Sequence, residues 1–159
     1  AIVPALAIAV LLSVAGAGTA HAGATTAGPP AHFSTTPSGT AVPAKVFVGD
    51  ITRFSAMLSA FGHNLQRAAA GPRAMRALAP HMRRQLAVFD EVTAKMAAYT
   101  VDSTALERKR AAIVEAAPPV SRLGRQLIRA ALAGKVKLVK RTAAGLEIAL
   151  RRLEAAAKA

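Results

Sequence analysis

Few side chains in this 159-residue chain are of the types that do acid–base or metal chemistry, and those few are scattered. Cysteine is absent, which excludes disulfides, thiolate metal sites, a thiol nucleophile and covalently attached c-type haem. Residues 45–159 contain two histidines, His63 and His81, and neither has the companion ligands that a metal site requires. We therefore expect both histidines to lie on the surface or at the margin of a helix face.

The eight carboxylates follow patterns that are structural rather than catalytic. Asp50 and Asp102 precede apolar helical patterns, so we interpret both as residues at helix starts. Glu91 and Glu147 stand four residues before a lysine and an arginine, which is the spacing of exposed helical ion pairs. No pair of carboxylates falls on an apolar stripe, and no Gly-x-Ser-x-Gly element is present. The sequence predicts no catalytic residue and a protein that is not an enzyme.

Four methionines raise the alternative of a haem or copper site. Met75, Met82 and Met96 recur on one apolar stripe, where methionine ordinarily fills a hydrophobic core. Axial ligation needs a convergent pair of ligands, and the last helical pattern has no histidine to supply the second. We therefore expect no cofactor and no bound metal.

Basic residues are the feature that stands out, with 21 Lys and Arg against eight Asp and Glu and a net charge of +13. Between Arg122 and Arg152 there are nine basic residues and one acidic residue, a net charge of +8. Helical spacing places these cations opposite the apolar positions, where they can attract an anionic polymer or membrane surface. The residues that we predict to bind anionic surfaces, the basic C-terminal face, are Arg122, Arg125, Arg129, Lys137, Lys140, Arg141, Arg151 and Arg152.

A merely solvated helix face is the competing interpretation of these cations, because basic residues commonly occupy the outer face of an amphipathic helix. A nucleic-acid partner is disfavoured, because the segment has no aromatic residues to stack on bases and no helix-turn-helix motif. Export, for which the evidence follows, also argues against a genomic target. The predicted partner is an anionic membrane surface or envelope polymer, and no protein partner is indicated.

The first 44 residues contain no Asp, Glu, Lys or Arg. An apolar run over residues 8–14, followed by Ala20-His21-Ala22, is typical of a signal peptide, so we predict a signal peptide over residues 1–22. The run becomes rich in Gly and Thr before the roughly 20 residues of a membrane span, which disfavours an uncleaved anchor. Residues 23–44, rich in Gly, Pro, Ser and Thr, predict a disordered linker. We expect an exported protein of the periplasm, cell envelope or exterior.

Residues 45–159 have the apolar spacing of amphipathic helices and no useful strand-like alternation. The first pattern begins with Asp50 as N-cap and ends at Gly71-Pro72. Pro80 lies inside the second pattern, which it either kinks or restarts. Each pattern has one apolar face that must be buried against the others. The sequence therefore predicts an all-α fold, a small antiparallel bundle of about four helices that occupies residues 45–159.

Signals for the later helix boundaries follow in the second half of this region. Residues 100–103 predict a turn, and Thr104 with Glu107 predicts a capping box at the start of the third helix. Pro118-Pro119 predicts an interruption of that helix, because two amide donors are lost there. Gly134 predicts its C-cap.

These observations predict an exported, non-enzymatic helical protein of the bacterial cell envelope or exterior that contacts anionic surfaces through the basic C-terminal face. Two alternatives stay open: a carrier that holds a small ligand in the bundle interior, and a helical protein-interaction domain. An apolar pocket with a few convergent polar groups would favour the carrier. A broad basic face without a pocket would favour contact with an anionic surface.

Overall fold

The structure is a computed structural model and describes residues 39–158. The predicted signal peptide and residues 23–38 of the predicted linker lie outside the described residues. Of the described residues 86% are helical, which confirms the predicted all-α fold with four helices. The elements in chain order are β1 (Thr40–Val42), α1 (Ala44–Ala68), α2 (Pro72–Ala97), β2 (Tyr99–Val101), α3 (Thr104–Leu132) and α4 (Val136–Lys158).

Side-chain contacts fix the directions of the first two helices. Asp50 in the first half of α1 accepts a hydrogen bond from Lys95 near the end of α2. Asn64 in the second half of α1 donates one to Gln85, which lies earlier in α2. The two helices are therefore antiparallel.

Antiparallel packing continues through α3 and α4. Arg110 near the start of α3 bonds the Met96 carbonyl near the end of α2, and Gly124 further along α3 lies against Leu86. The short turn at residues 133–135 then reverses the chain into α4. The α1–α2 turn at residues 69–71 and the α3–α4 turn thus share one end of the bundle, termed the turn end. The strands and the α2–α3 connection occupy the opposite, sheet end.

One continuous hydrophobic core joins the four helices. The Phe54 and Phe89 rings stack with their centroids 4.5 Å apart, which ties α1 to α2. Deeper in the core, Met82, Met96 and Val120 are fully buried, so methionine fills the interior as its position on the apolar stripe predicts.

Close packing of α3 depends on a glycine. A Cβ atom at Gly124 would lie 3.1 Å from Leu86 Cδ1 and 3.2 Å from Phe61 Cζ, closer than ordinary van der Waals contact. The missing side chain therefore lets α3 approach both neighbouring helices at this level. On its other side α3 meets α4, where Leu123 lies against Gly145 and where Leu146 is buried.

Two three-residue strands close the sheet end. β1 pairs with β2 in parallel, with Val42 opposite Val101, and the Asp102 amide donates to the Val42 carbonyl over 3.2 Å. Strands this short leave no readable alternation, which is why the sequence did not predict them. Thr40–Val42 belongs to the segment predicted as linker, and Tyr99–Val101 overlaps the predicted turn.

The prediction that Asp50 caps the first helix is wrong. α1 begins at Ala44, six residues earlier, and Asp50 is a buried residue of its second turn. Phe47 explains the earlier start, because its side chain is 1% exposed and adds a turn of apolar surface to the helix.

The predicted interruption of the third helix is also wrong, since α3 continues through Pro118 and Pro119. Each proline removes one backbone hydrogen bond and costs about 3 kcal/mol in a helix interior. Ala117 and Val120, on either side, are both fully buried, so packing against the rest of the core maintains the helix. Pro80 behaves in the same way inside a continuous α2.

The predicted C-cap at Gly134 is confirmed, with glycine in the position immediately after the capping residue. Gly134 has a φ of 66°, a left-handed conformation that favours glycine. Its amide donates to the Ala131 carbonyl over 3.1 Å, and the Lys135 amide donates to the Ala130 carbonyl over 3.0 Å. This is the hydrogen-bond pattern of a Schellman motif, which ends α3 sharply and sets the direction of α4.

Candidate functional site

A cluster of polar side chains lies at the sheet end, where the sequence predicted only helix caps. Asp50 is 6% exposed and accepts hydrogen bonds from Lys95 Nζ over 2.7 Å and from the Tyr99 hydroxyl over 3.0 Å. Its carboxylate thereby joins α1 to the end of α2 and to β2. A buried carboxylate needs such partners, because it loses its hydration on folding.

Arg110 is the centre of the same cluster and is 5% exposed. Its guanidinium donates two hydrogen bonds to the Glu107 carboxylate, over 2.8 and 2.6 Å, and a third to the Met96 carbonyl over 2.6 Å. Glu107 also accepts the Val101 amide over 2.8 Å, and the guanidinium lies 5.9 Å from the Tyr99 ring centroid. One side chain thus connects α2, β2 and α3.

The ionisation of this cluster follows from its contacts. The hydrogen bonds from Arg110 hold the pKa of Glu107 below its ordinary value of 4.5, with a further lowering from the Val101 amide. The hydrogen bonds to Glu107 in turn raise the pKa of Arg110. Burial, and then the hydrogen bond to Asp50, raises the pKa of Tyr99. The stable form at neutral pH therefore has a charged Glu107–Arg110 pair beside a neutral phenol.

These contacts also correct the predicted capping box. Neither Thr104 nor Ser103 makes a side-chain capping bond at the start of α3, and Glu107 reaches back to the Val101 amide in β2 instead. Within residues 39–158 no buried side-chain nitrogen or oxygen lacks a hydrogen-bond partner. The polar groups of the cluster form hydrogen bonds with one another and with nearby backbone groups, which stabilises the sheet end.

The basic C-terminal face is exposed at all eight predicted positions. Arg122, Arg125 and Arg129 share one side of α3, as their spacing predicts. Two of the eight cations are partly neutralised: Arg125 pairs with Asp90 of α2, and Arg151 pairs with Glu147 over 2.6 Å. The other six have no ion-pair partner among the residues that the structure describes.

The charge of the molecule is concentrated in two segments that each span a turn. Residues 51–89 contain six basic and no acidic residues, and residues 116–146 contain seven basic and no acidic residues. Together they account for the whole net charge of +13, because the rest of the chain has eight basic and eight acidic residues. Since both turns lie at the same end, folding places eight of these thirteen cations near the turn end.

The cations nearest the turn end come from all four helices and are all exposed. They lie at the ends of α1 and α3, in the α3–α4 turn and in the first turns of α2 and α4. These residues are Arg67, Arg73, Arg76, Arg129, Lys135, Lys137, Lys140 and Arg141. Arg151 and Arg152 lie toward the other end of α4. The predicted basic face is therefore divided between the turn end and the other end of α4. At the turn end it is joined by cations beside the α1–α2 turn.

This arrangement works against helix stability. The amino-terminal end of a helix carries partial positive charge, so acidic residues stabilise the first turn and basic residues destabilise it. The first turns of α2 and α4 contain no acidic residue, and Arg73 and Lys137 lie there instead. The fold alone does not explain cations in these positions.

The carrier alternative is not favoured by the cavities. A shallow groove of about 270 Å³ lies on the outer surface between α1 and α2, and Asn64 and Gln85, which bond each other, are among its lining residues. Its other lining residues are Met57, His81, Arg84 and Val88. The bundle interior is filled by core side chains such as Met82.

His63 and His81 are both exposed, as expected. In the part of the chain that the structure covers, no group of three or more His, Asp or Glu side chains is arranged to hold a metal ion. No helix between residues 39 and 158 is long and apolar enough to cross a membrane.

Comparison with protein-family models found no match, and comparisons with curated proteins and with solved structures likewise found no significant relative.

Sequence reasoning missed the buried polar cluster and the contribution of α1 and α2 to the basic surface. The absence of carboxylates between Asp50 and Asp90 was readable from the sequence and signalled a second basic segment. Arg110 follows Arg108 and Lys109 but lies four residues after Leu106 and three before Ile113, so its place on the apolar stripe was a readable signal of burial, whereas its partners were not readable.

We predict that Arg110→Met lowers the free energy of unfolding by about 2–4 kcal/mol, because Glu107 and the Met96 carbonyl lose their buried donors. Chemical denaturation at neutral pH measures this change. Arg108→Met, at an exposed neighbouring position, is the matched control and should stay within about 0.5 kcal/mol of wild type. Equal stability of the two variants would show that the buried guanidinium does not hold the sheet end together.

A second prediction concerns acid. Because the pKa of Glu107 is lower in the folded state than in the unfolded chain, its charge stabilises the fold above pH 4.5, and this contribution disappears as pH falls through the folded pKa. The unfolding free energy should therefore fall as the pH is lowered below 4.5, and less steeply in Glu107→Gln than in wild type. Exposed Glu115→Gln should keep the wild-type slope. Equal dependence of the unfolding free energy on pH in Glu107→Gln and wild type would contradict the role assigned to the Glu107 carboxylate.

Proposed function

We propose that this chain is an exported, non-enzymatic helical protein of the bacterial cell envelope or exterior that contacts anionic surfaces through exposed basic side chains of α3 and α4. The observation that carries the proposal is the uneven distribution of charge, since the entire excess of +13 lies in two acid-free segments. Export and the absence of catalysis rest on the sequence patterns described above.

The exposed state of the cations supports this proposal. Six of the eight residues of the basic C-terminal face have no ion-pair partner within residues 39–158, so their charge is available to an external anion. The two surface pairs that do form, at Arg125 and Arg151, are each worth only about 0–1 kcal/mol and can exchange partners.

The positions of Arg73 and Lys137 in the first turns of α2 and α4 support the same function. Cations there cost the isolated protein stability, and an anionic surface would remove that cost by neutralising them. Such binding would be governed by charge rather than by the sequence or stereochemistry of the partner.

Co-sedimentation with anionic vesicles and with purified cell-wall polymer tests the proposal. We expect wild-type protein to bind tightly at about 0.02 M salt and more weakly at about 0.15 M, where charges are screened over about 8 Å. The triple variant Arg122→Gln/Arg129→Gln/Lys140→Gln should bind about a hundredfold more weakly, because each cation near an anionic surface contributes about 1 kcal/mol. Arg125 is left unchanged because it pairs with Asp90.

The matched control removes three exposed cations of the sheet half, in the variant Lys45→Gln/Arg53→Gln/Arg108→Gln. It has the same net charge as the test variant and should bind more strongly. Circular-dichroism melts should show all three proteins folded. Failure of the wild type to bind either probe at low salt would overturn the proposed function.

A further inference from the structure

We propose that the turn end is a docking surface for an anionic lipid bilayer and that the bundle stands on the membrane end-on. This inference rests on the proposed function and adds the region of contact and the kind of surface. It excludes Arg151 and Arg152 from the contact and assigns α1 and α2 a role that the sequence did not indicate.

The topology makes the turn end a single surface. Because the helices alternate in direction, the turns at residues 69–71 and 133–135 project from the same end, with helix ends beside each. Arg67 and Arg73 flank the first turn, and Arg129 and Lys137 flank the second. The cations therefore surround both turns and can reach one plane of phosphate groups together.

The first turn has no charged residue, and an exposed apolar residue lies beside the second turn. The first turn reads Ala69-Ala70-Gly71 and runs into Pro72, with no charged or hydrogen-bonding side chain. At the second turn Val136 is 64% exposed and lies between Lys135 and Lys137. Apolar residues flanked by cations suit the boundary between headgroups and acyl chains, where basic side chains extend to phosphates from a partly inserted apolar residue.

A bilayer fits this surface better than an extended polymer does. The groove on the described part of the molecule runs along the side between α1 and α2, at Met57 and Val88, and not across the turn end. A flexible polyanion could follow basic side chains anywhere on α3 and α4, including Arg151 and Arg152. A flat lipid surface can contact only cations that lie at one end or on one side of the molecule, and those of the turn end lie in or beside the two turns.

The two ends of the bundle lie much further apart than the distance over which salt screens charges. α2 has 26 residues and is about 39 Å long from the helical rise. Charges are screened over about 8 Å at physiological salt, so carboxylates at the sheet end, such as Asp102 and Glu107, do not weaken attraction at the turn end. The turn end therefore presents a positive potential that the carboxylates of the sheet end do not compensate.

The first test neutralises cations that lie outside the predicted C-terminal face. In Arg67→Gln/Arg73→Gln/Arg76→Gln, affinity for vesicles of phosphatidylglycerol and phosphatidylcholine should fall about a hundredfold, since each lost cation weakens binding about fivefold. The control Lys45→Gln/Arg53→Gln/Arg108→Gln has the same charge and should lose far less. Every protein contains residues 1–38. Binding of each protein to neutral phosphatidylcholine vesicles measures any contribution of that segment, and this binding is subtracted.

A second measurement locates the contact without removing charge. The chain has no tryptophan, so a single substitution gives an unambiguous fluorescence probe. Val136 at the turn end and Val48 at the sheet end are both exposed, at 64% and 46%. Emission of Val136→Trp should shift to shorter wavelength with anionic vesicles, and that of Val48→Trp should not change.

The outcomes separate this inference from the proposed function. Equal losses in the two triple variants, or equal shifts of the two tryptophans, would overturn end-on docking and leave binding by net charge. Binding to purified cell-wall polymer but not to anionic vesicles would overturn the bilayer as the partner and retain another anionic partner. If the wild type binds neither probe at low salt, the proposed function itself fails.

Discussion

The buried guanidinium of Arg110 is the interaction on which the arrangement of the helices depends. It bonds Glu107 in its own helix and the Met96 carbonyl of α2, and through Glu107 it reaches the Val101 amide of β2. Asp50 links α1 to this cluster by accepting hydrogen bonds from Tyr99 and Lys95. A charged group this deeply buried is stable only with its partners in place, so the cluster specifies how the chain reverses between α2 and α3. That reversal determines that the α1–α2 and α3–α4 turns meet at the opposite end.

The two ends of the bundle consequently have different physical roles. At the sheet end, carboxylates and cations balance and buried polar atoms bond one another. At the turn end, cations of all four helices lie together with no carboxylate in residues 51–89 or 116–146. Their mutual repulsion, and the unfavourable placement of Arg73 and Lys137 at helix amino termini, oppose folding. The packed core and the Arg110 cluster offset this cost.

The helices were largely predictable from the sequence because apolar spacing and local caps are properties of neighbouring residues. Gly134 ended α3 as predicted, since a left-handed glycine is a local requirement. Asp50, Glu107 and Arg110 were not predictable in their roles, because each depends on partners that folding brings from other elements. Pro118-Pro119 misled for a related reason: its local cost is outweighed by buried neighbours on both sides. The eight residues of the basic C-terminal face were correctly predicted as exposed, whereas the grouping of some of them with cations of α1 and α2 required the alternation of helix directions.

Hydrogen–deuterium exchange of the full chain, with and without anionic vesicles at low salt, tests the central claim most directly, because it reports contact along the whole backbone without any substitution. We expect slower exchange at residues 66–76 and 129–141 when vesicles are added, and no change at residues 95–110. Protection confined to residues 95–110, or spread evenly over the four helices, would contradict a binding surface at the turn end.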